Sequence, residues 1–272
     1  MIVSSFAPGV YGRLDASARR AGAVTRRNVA ALPSGYWLVL VSGFIEPLLY
    51  LLSIGVGVGR LVGTVPLAGG SQVSYAVFVA PAMLATSAMI GALAESTFNF
   101  FGKMKFMKLY DGVLATPVRP MEIALGELAW ALARGLLYSA AFLGVMVGMG
   151  FTTLGWAVAA LPATVLVGFS FGGLGMALAT FMRGWQDFDI VGTILFALFL
   201  FSGTFAPVGG SYPGPVRVLV EATPLFHAVE LVRGLTTGSP RPVLLLHMAY
   251  LVAMAALGLL IAGRRMGHLL LK

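Results

Sequence analysis

The sequence predicts an all-α membrane protein with six transmembrane helices, and three observations predict it. Of 272 residues, 58% are hydrophobic and only 10% charged, with a mean hydropathy of +0.92; a soluble domain carries about 25% charged residues. Six apolar runs, at about 36–58, 75–94, 123–150, 154–181, 188–205 and 243–262, approach or exceed the roughly 20 residues that cross a bilayer. The cations are also sorted. Thirteen lie in alternate segments (Arg13, Arg19, Arg20, Arg26 and Arg27; Lys103, Lys105, Lys108 and Arg119; Arg183; Arg264, Arg265 and Lys272). The other segments hold four, Arg60, Arg217, Arg233 and Arg241, and Arg134 lies inside the third run. The positive-inside rule then puts both termini in the cytoplasm of a multi-pass inner-membrane protein. A soluble enzyme and a disordered chain are excluded, and the lack of cysteine removes disulfide scaffolds and thiolate chemistry.

The chain divides into an amino-terminal segment, residues 1–35, and a six-span body, residues 36–272. In the first, Arg13, Arg19, Arg20, Arg26 and Arg27 share an arc of about 140° at 100° per residue, with Leu14, Ala18, Val29 and Leu32 mostly opposite. This predicts an amphipathic helix on the inner leaflet; a solvated basic tail is the blander reading. The apolar run begins too late, and runs too long, for a secretory signal. In the first span Glu46 precedes Pro47, which breaks a backbone bond and kinks the helix. The pairs Gly55/Gly59, Gly144/Gly148 and Gly168/Gly172 have the spacing that permits close helix contact in lipid.

Between spans two and three, Phe98, Phe100, Phe101, Phe106 and Tyr110 interleave with Lys103, Lys105 and Lys108. Stacking on single-stranded nucleic acid is one reading; a membrane-interface belt explains the pattern better, so no nucleic-acid partner is expected. Downstream come Thr116, Pro117, Arg119, Pro120, Met121 and Glu122. Pro120 suits a first helical turn and Glu122 its positive end. A short helix there would dock a partner and carry its movement into the spans.

Charges inside spans are costly and have a reason. Glu127 and Arg134 are seven residues apart, hence on one helical face, and are expected to pair with neighbouring spans; a proton relay is the alternative. Acidic groups are otherwise too sparse for an ion-coupled carrier, which remains the second function class. Ser170, in Gly168-Phe169-Ser170-Phe171-Gly172, matches the string of a serine nucleophile elbow but sits mid-span, so an intramembrane hydrolase is the third. His227, His247 and His268 are too scattered for a metal site. No phosphate-binding Walker string occurs, so ATP-driven work would fall to a partner.

The segment from Pro207 to Pro242 is too long for a turn and too short-runned to span. Val216–Ala222 and Leu225–Leu235 flank Thr223-Pro224 and read as two re-entrant or interfacial helices.

These strings in this order resemble the membrane subunit of type-2 ABC exporters, in the branch of nodulation-factor (lipo-oligosaccharide) and daunorubicin-type drug export permeases. The residues that carry the resemblance are Glu46-Pro47-Leu48-Leu49-Tyr50 with Gly55, Gly57 and Gly59, and Tyr75-Ala76-Val77-Phe78-Val79-Ala80-Pro81. Glu95-Ser96-Thr97, Tyr110 to Pro117, Glu122 to Glu127, and Pro224-Leu225-Phe226-His227 through Arg233-Gly234 complete the set. Ala82 stands where many relatives carry glycine. The resemblance implies a permease subunit that binds no cofactor itself and pairs with a second copy or a similar permease. It implies two cytoplasmic ATP-binding-cassette subunits that hold ATP and Mg2+, and an amphiphilic cargo. It further implies that the amino-terminal helix and Thr116–Glu127 face the ATPases, and that Pro224, Leu225, Phe226, His227 and Arg233 belong to a re-entrant gate.

Overall fold

The computed structural model describes residues 10–31, 41, 45, 48–67 and 70–270. Glu46, Pro47 and much of the first expected span lie outside the described residues, as does the proposed boundary at residue 35. Helix α1 is Val10–Ala30. The next helical stretch, Leu48–Val62, is π-helical over Leu51–Val58 and closes as α2, Gly59–Val62, at Gly63, whose φ of 77° a side chain would resist. A feature absent from the sequence reading follows. Strands β1 (Thr64–Pro66) and β2 (Gln72–Ser74) pair antiparallel, Val65 opposite Val73. Three residues per strand are too few to display a two-residue period.

Helix α3, Tyr75–Ala94, outruns its apolar stretch: it continues through π-helical turns at Glu95–Asn99 and Gly102–Phe106 into one helix of 32 residues. The apolar pattern stops at Glu95, but Glu95, Ser96 and Thr97 are buried. Thr97 donates to the Leu93 carbonyl at 2.6 Å and Asn99 to Glu95 at 2.7 Å, which meets their polar demand inside the helix. Lys108, left-handed at φ 47°, then turns the chain into α4, Leu109–Leu114.

Next come α5 (Pro120–Gly148), α6 (Leu154–Ala179), α7 (Asp187–Leu200), α8 (Val208–Ser211), α9 (Gly214–Ala222), α10 (Pro224–Thr236) and α11 (Val243–Leu270). Among the described residues four helices are long and apolar enough to cross a membrane: Tyr75–Phe106, α5, α6 and α11. Helix α7, where the fifth span was expected, has 14 residues and rises only about 21 Å. Its faces carry exposed Ile190, Ile194 and Phe196. The two short helices expected before the last span are present as α9 and α10, broken at Thr223, whose hydroxyl accepts from the Phe226 N–H at 3.3 Å.

The core is split lengthwise. One cluster joins Phe78, Leu84, Phe142, Met146, Phe171, Leu225 and Leu251; the other joins Phe100, Phe101, Tyr110, Ile123, Leu128, Met176 and Met266. At the seam, α6 and α11 cross at the closest backbone approach among the described glycines: a Cβ on Gly258 would lie 2.5 Å from the Gly173 carbonyl carbon. The Arg134–Glu95 pair, 3.1 Å, lies at the same level of α3 and α5. A buried charge pair is thus placed where the apolar packing is interrupted.

Candidate coupling site

Helix α1 does not simply lie on lipid, as its arginine arc suggested; it packs along the first turns of α5. At the crossing, a Cβ on Gly126 would stand 2.6 Å from the Ala21 carbonyl oxygen and 2.6 Å from the Val24 Cβ. Only glycine allows the two backbones so near. Thr25 seals the contact by donating to the Gly126 carbonyl at 2.9 Å.

Two carboxylates flank that crossing. Glu122 is buried; Arg20 reaches it through Nε and Nη2, both at 2.7 Å, and the Ser17 hydroxyl donates at 2.7 Å. Glu122 also accepts from the Arg119 N–H at 2.9 Å, so the same side chain caps α5 and holds α1. One turn on, buried Glu127 accepts from Arg27 at 2.8 Å, Asn28 at 3.0 Å and Lys103 at 2.6 Å. It therefore ties α1 and the extended end of α3 to α5. Fully buried Tyr110 lies beside this cluster; burial and the Glu127 carboxylate push its phenol well up, so it keeps its proton.

Several expectations change here. Arg20 and Arg27 face the protein, whereas Arg19 and Arg26 are exposed, so these four do not act as one face. No separate helix spans Pro120–Glu122. Those residues begin α5, and the short helix lies upstream as α4, because Pro120 can start a helix and nothing after it stops one. Thr116, Pro117 and Arg119 are exposed, Pro120 and Met121 half-buried, with Met121 packed against Gly263 of α11. Glu127 and Arg134 share a helix face but serve different neighbours: Glu127 meets α1 and α3, and Arg134 meets Glu95 beside a groove lined by Ser87, Gly91, Tyr138 and Ser139. Ser17 and Asn28 were missed, since only contact across some hundred residues gives them partners, and Glu95 because its ion-pair partner Arg134 stands on the next long helix.

The opposite end has its own clamp. Arg233, buried on α10, donates to the Phe78 carbonyl at 3.2 Å, to the Gly203 carbonyl at 2.8 Å and to Glu230 at 2.6 Å, and stands 4.0 Å over the Phe78 ring. One guanidinium thus joins α10, α3 and the turn after α7, where Gly203 has φ 73°. Pro224 opens α10, and Leu225 is fully buried. His227 meets His247 with Nδ1 atoms 2.7 Å apart and stacks on Tyr250 at 3.9 Å between ring centroids; Phe226 packs edge-on at 5.7 Å.

Ser170 lies within α6, away from any strand-to-helix turn, and shares its proton between the Leu166 and Leu251 carbonyls at 2.7 and 2.8 Å. That is a helix-to-helix fastener. It lacks the strained elbow that exposes a nucleophile.

Comparison with known proteins agrees with this architecture. The ABC-2 type transporter family matches residues 20–237. A Nodulation protein J from Rhizobium leguminosarum bv. trifolii is 35% identical over 80% of this chain and 81% of its own. Those from Sinorhizobium fredii and Rhizobium meliloti are 33% and 31% identical; they align with 86% of this chain in each case and with 88% and 87% of their own lengths.

Proposed function

The chain belongs to the ABC-2 type transporter family, an integral-membrane permease, and from that premise we propose that it exports an amphiphilic molecule using ATP hydrolysed by partner subunits. In this reading two ATP-binding-cassette subunits hold ATP and Mg2+ on the cytoplasmic side. A second copy, or a similar permease, completes the path, with six spans per chain and both termini inside. The observation that carries the reading is the family match across residues 20–237. The cargo in this reading is the amphiphile, drug-like or lipo-oligosaccharide, that the sequence resemblance implies.

The coupling surface is the end that carries α1. Exposed Thr116, Pro117 and Arg119 meet the ATPase, and their movement enters α5 at once because they directly precede its first turn. Glu122 and Glu127 make α1 and the end of α3 move with α5, through the Arg20, Arg27 and Lys103 pairs. At the other end Arg233 holds α10 against α3 and the turn after α7, as a gate over the path.

Affinity purification in mild detergent tests this. A P-loop ATPase should elute in stoichiometric amount, and the reconstituted complex should move amphiphile with ATP and without an ion gradient. Transport by the chain alone, collapsed by an uncoupler, would replace this reading with an ion-driven carrier.

A further inference from the structure

At the end bearing α1, the cations fall into two groups. Arg20, Arg27, Lys103 and Arg134 each meet a carboxylate. Among the described residues Lys105, Arg183 and Arg265 form no ion pair, nor do Arg19, Arg26, Lys108, Arg119 and Arg264, but Lys105, Arg183 and Arg265 differ from those in their surroundings. These three stand among aromatic rings that are about half exposed: Phe106 at 58%, Phe181 at 55% and Trp185 at 50%.

The rings form two clusters, one built on Phe101, Phe106 and Trp185 and one on Phe181. Trp185, in the turn between α6 and α7, stacks on Phe106 at 5.2 Å with 14° between planes, and meets Phe101 edge-on at 5.5 Å. Lys105 stands 5.9 Å over Phe101. The Arg265 guanidinium lies 3.6 Å over Phe181 and is steadied by Thr180, through its hydroxyl at 3.2 Å and its carbonyl at 3.4 Å. Arg183, exposed, lies in sequence between Phe181 and Trp185. The two clusters, joined by the 181–185 turn, lie at the ends of α3, α6 and α11, where spanning helices leave the hydrocarbon.

Rings of this kind settle at the level of lipid ester groups, and cations beside them reach the phosphates. A zwitterionic headgroup would leave the three positive charges poorly matched; an anionic one neutralises them. We propose that Lys105, Phe106, Phe181, Arg183, Trp185 and Arg265 form a binding site for an anionic phospholipid. The site clamps the α3–α4 turn to the α6–α7 turn through the bound headgroup. It requires that the chain span a membrane and nothing about ATP or cargo.

The test uses the full chain with Trp37, Trp130 and Trp156 replaced by Phe, leaving Trp185 as the only indole, in nanodiscs with brominated phosphatidylglycerol or brominated phosphatidylcholine at equal mole fraction. Phosphatidylglycerol should quench Trp185 at least roughly fivefold more effectively, the factor that about 1 kcal/mol for a single cation near an anionic surface gives. Lys105→Gln/Arg183→Gln, which changes two exposed side chains, should halve that preference, and adding Arg265→Gln should abolish it. Equal quenching by both lipids, or a preference untouched by the substitutions, overturns the proposal. So does the absence of quenching by either, because a protein partner would then cover the rings. ATPase co-purification is unaffected by these outcomes and reports separately on the export reading.

Discussion

Arg20 and Glu122, 102 residues apart in sequence, meet through two parallel bonds of 2.7 Å. Paired charge of this geometry is costly to break from one side, because the charge left behind, Arg20 when Glu122 is neutralised, loses its counter-charge and a charge-assisted bond. Glu122→Gln should destabilise the fold by about 1–3 kcal/mol and free α1 for proteolysis at exposed Arg19 and Arg26. The swapped pair Arg20→Glu/Glu122→Arg should recover part of the loss. A double-mutant cycle on thermal unfolding in detergent measures the coupling; strict additivity would deny the pair any role.

Arg119 separates the coupling role from the structural one. Its side chain is exposed and only its backbone serves the α5 cap, the N–H donating to the Glu122 carboxylate and the carbonyl accepting from the Glu122 and Ile123 N–H groups. Arg119→Glu should leave unfolding and membrane insertion unchanged and lower transport-coupled ATPase activity in liposomes. Unchanged coupling would move the ATPase contact away from the residues preceding α5.

Glu127 should matter more than Glu122. Three donors from two elements converge on it, so Glu127→Ala leaves Arg27, Asn28 and Lys103 facing a void, with an expected loss of about 3–5 kcal/mol. Hydrogen exchange should rise together in α1 and in the end of α3. A rise confined to α1 would show that the Lys103 bond of 2.6 Å does not tie α3 into the cluster.

What the sequence made legible was whatever depends on composition or on local spacing. Apolar runs located the helices α3, α5, α6 and α11, and Thr223-Pro224 marked the break between α9 and α10. Residues whose role depends on a distant partner were opaque. Glu95 read as the end of a span, although Arg134 and Asn99 let the helix carry it inward for another eleven residues. Glycine spacing was half informative for the same reason. Gly168 and Gly172 do lie against Leu132 and Leu128, but the tightest crossing uses Gly173 and Gly258, which share no repeat, and Gly144 and Gly148 meet nothing within 4 Å. Spacing records where a helix is smooth. It does not say which neighbour uses the smooth face.

That distinction gives a paired prediction. Gly258→Ala forces a Cβ to within 2.5 Å of the Gly173 backbone, which cannot rotate away, so α6 and α11 must separate. The expected cost is about 1–3 kcal/mol. Gly144→Ala, with open space around it, should stay within about 0.5 kcal/mol of the parent. Thermal unfolding of both variants in one detergent checks the contrast, and equal effects would remove the crossing from the account of stability.

The end that carries α10 should respond to acid through His227. Its Nδ1 and that of His247 share one proton across 2.7 Å, so protonating both rings breaks the bond between α10 and α11. Burial, and then the neighbouring His247, push His227 down to about 4 from its ordinary 6.5. A histidine depressed in the folded state holds fewer protons there than when unfolded, so its stabilising effect is complete above pH 6.5 and is lost as pH falls from 6.5 toward 4. Tyr250 stacks on the ring without charge, and Glu230 is held by Arg233. Hydrogen exchange in α10 should therefore quicken over that window while α5 stays protected. His227→Gln, which keeps a polar side chain but does not titrate, should flatten the response. An unchanged slope in that variant would assign the acid sensitivity to another group.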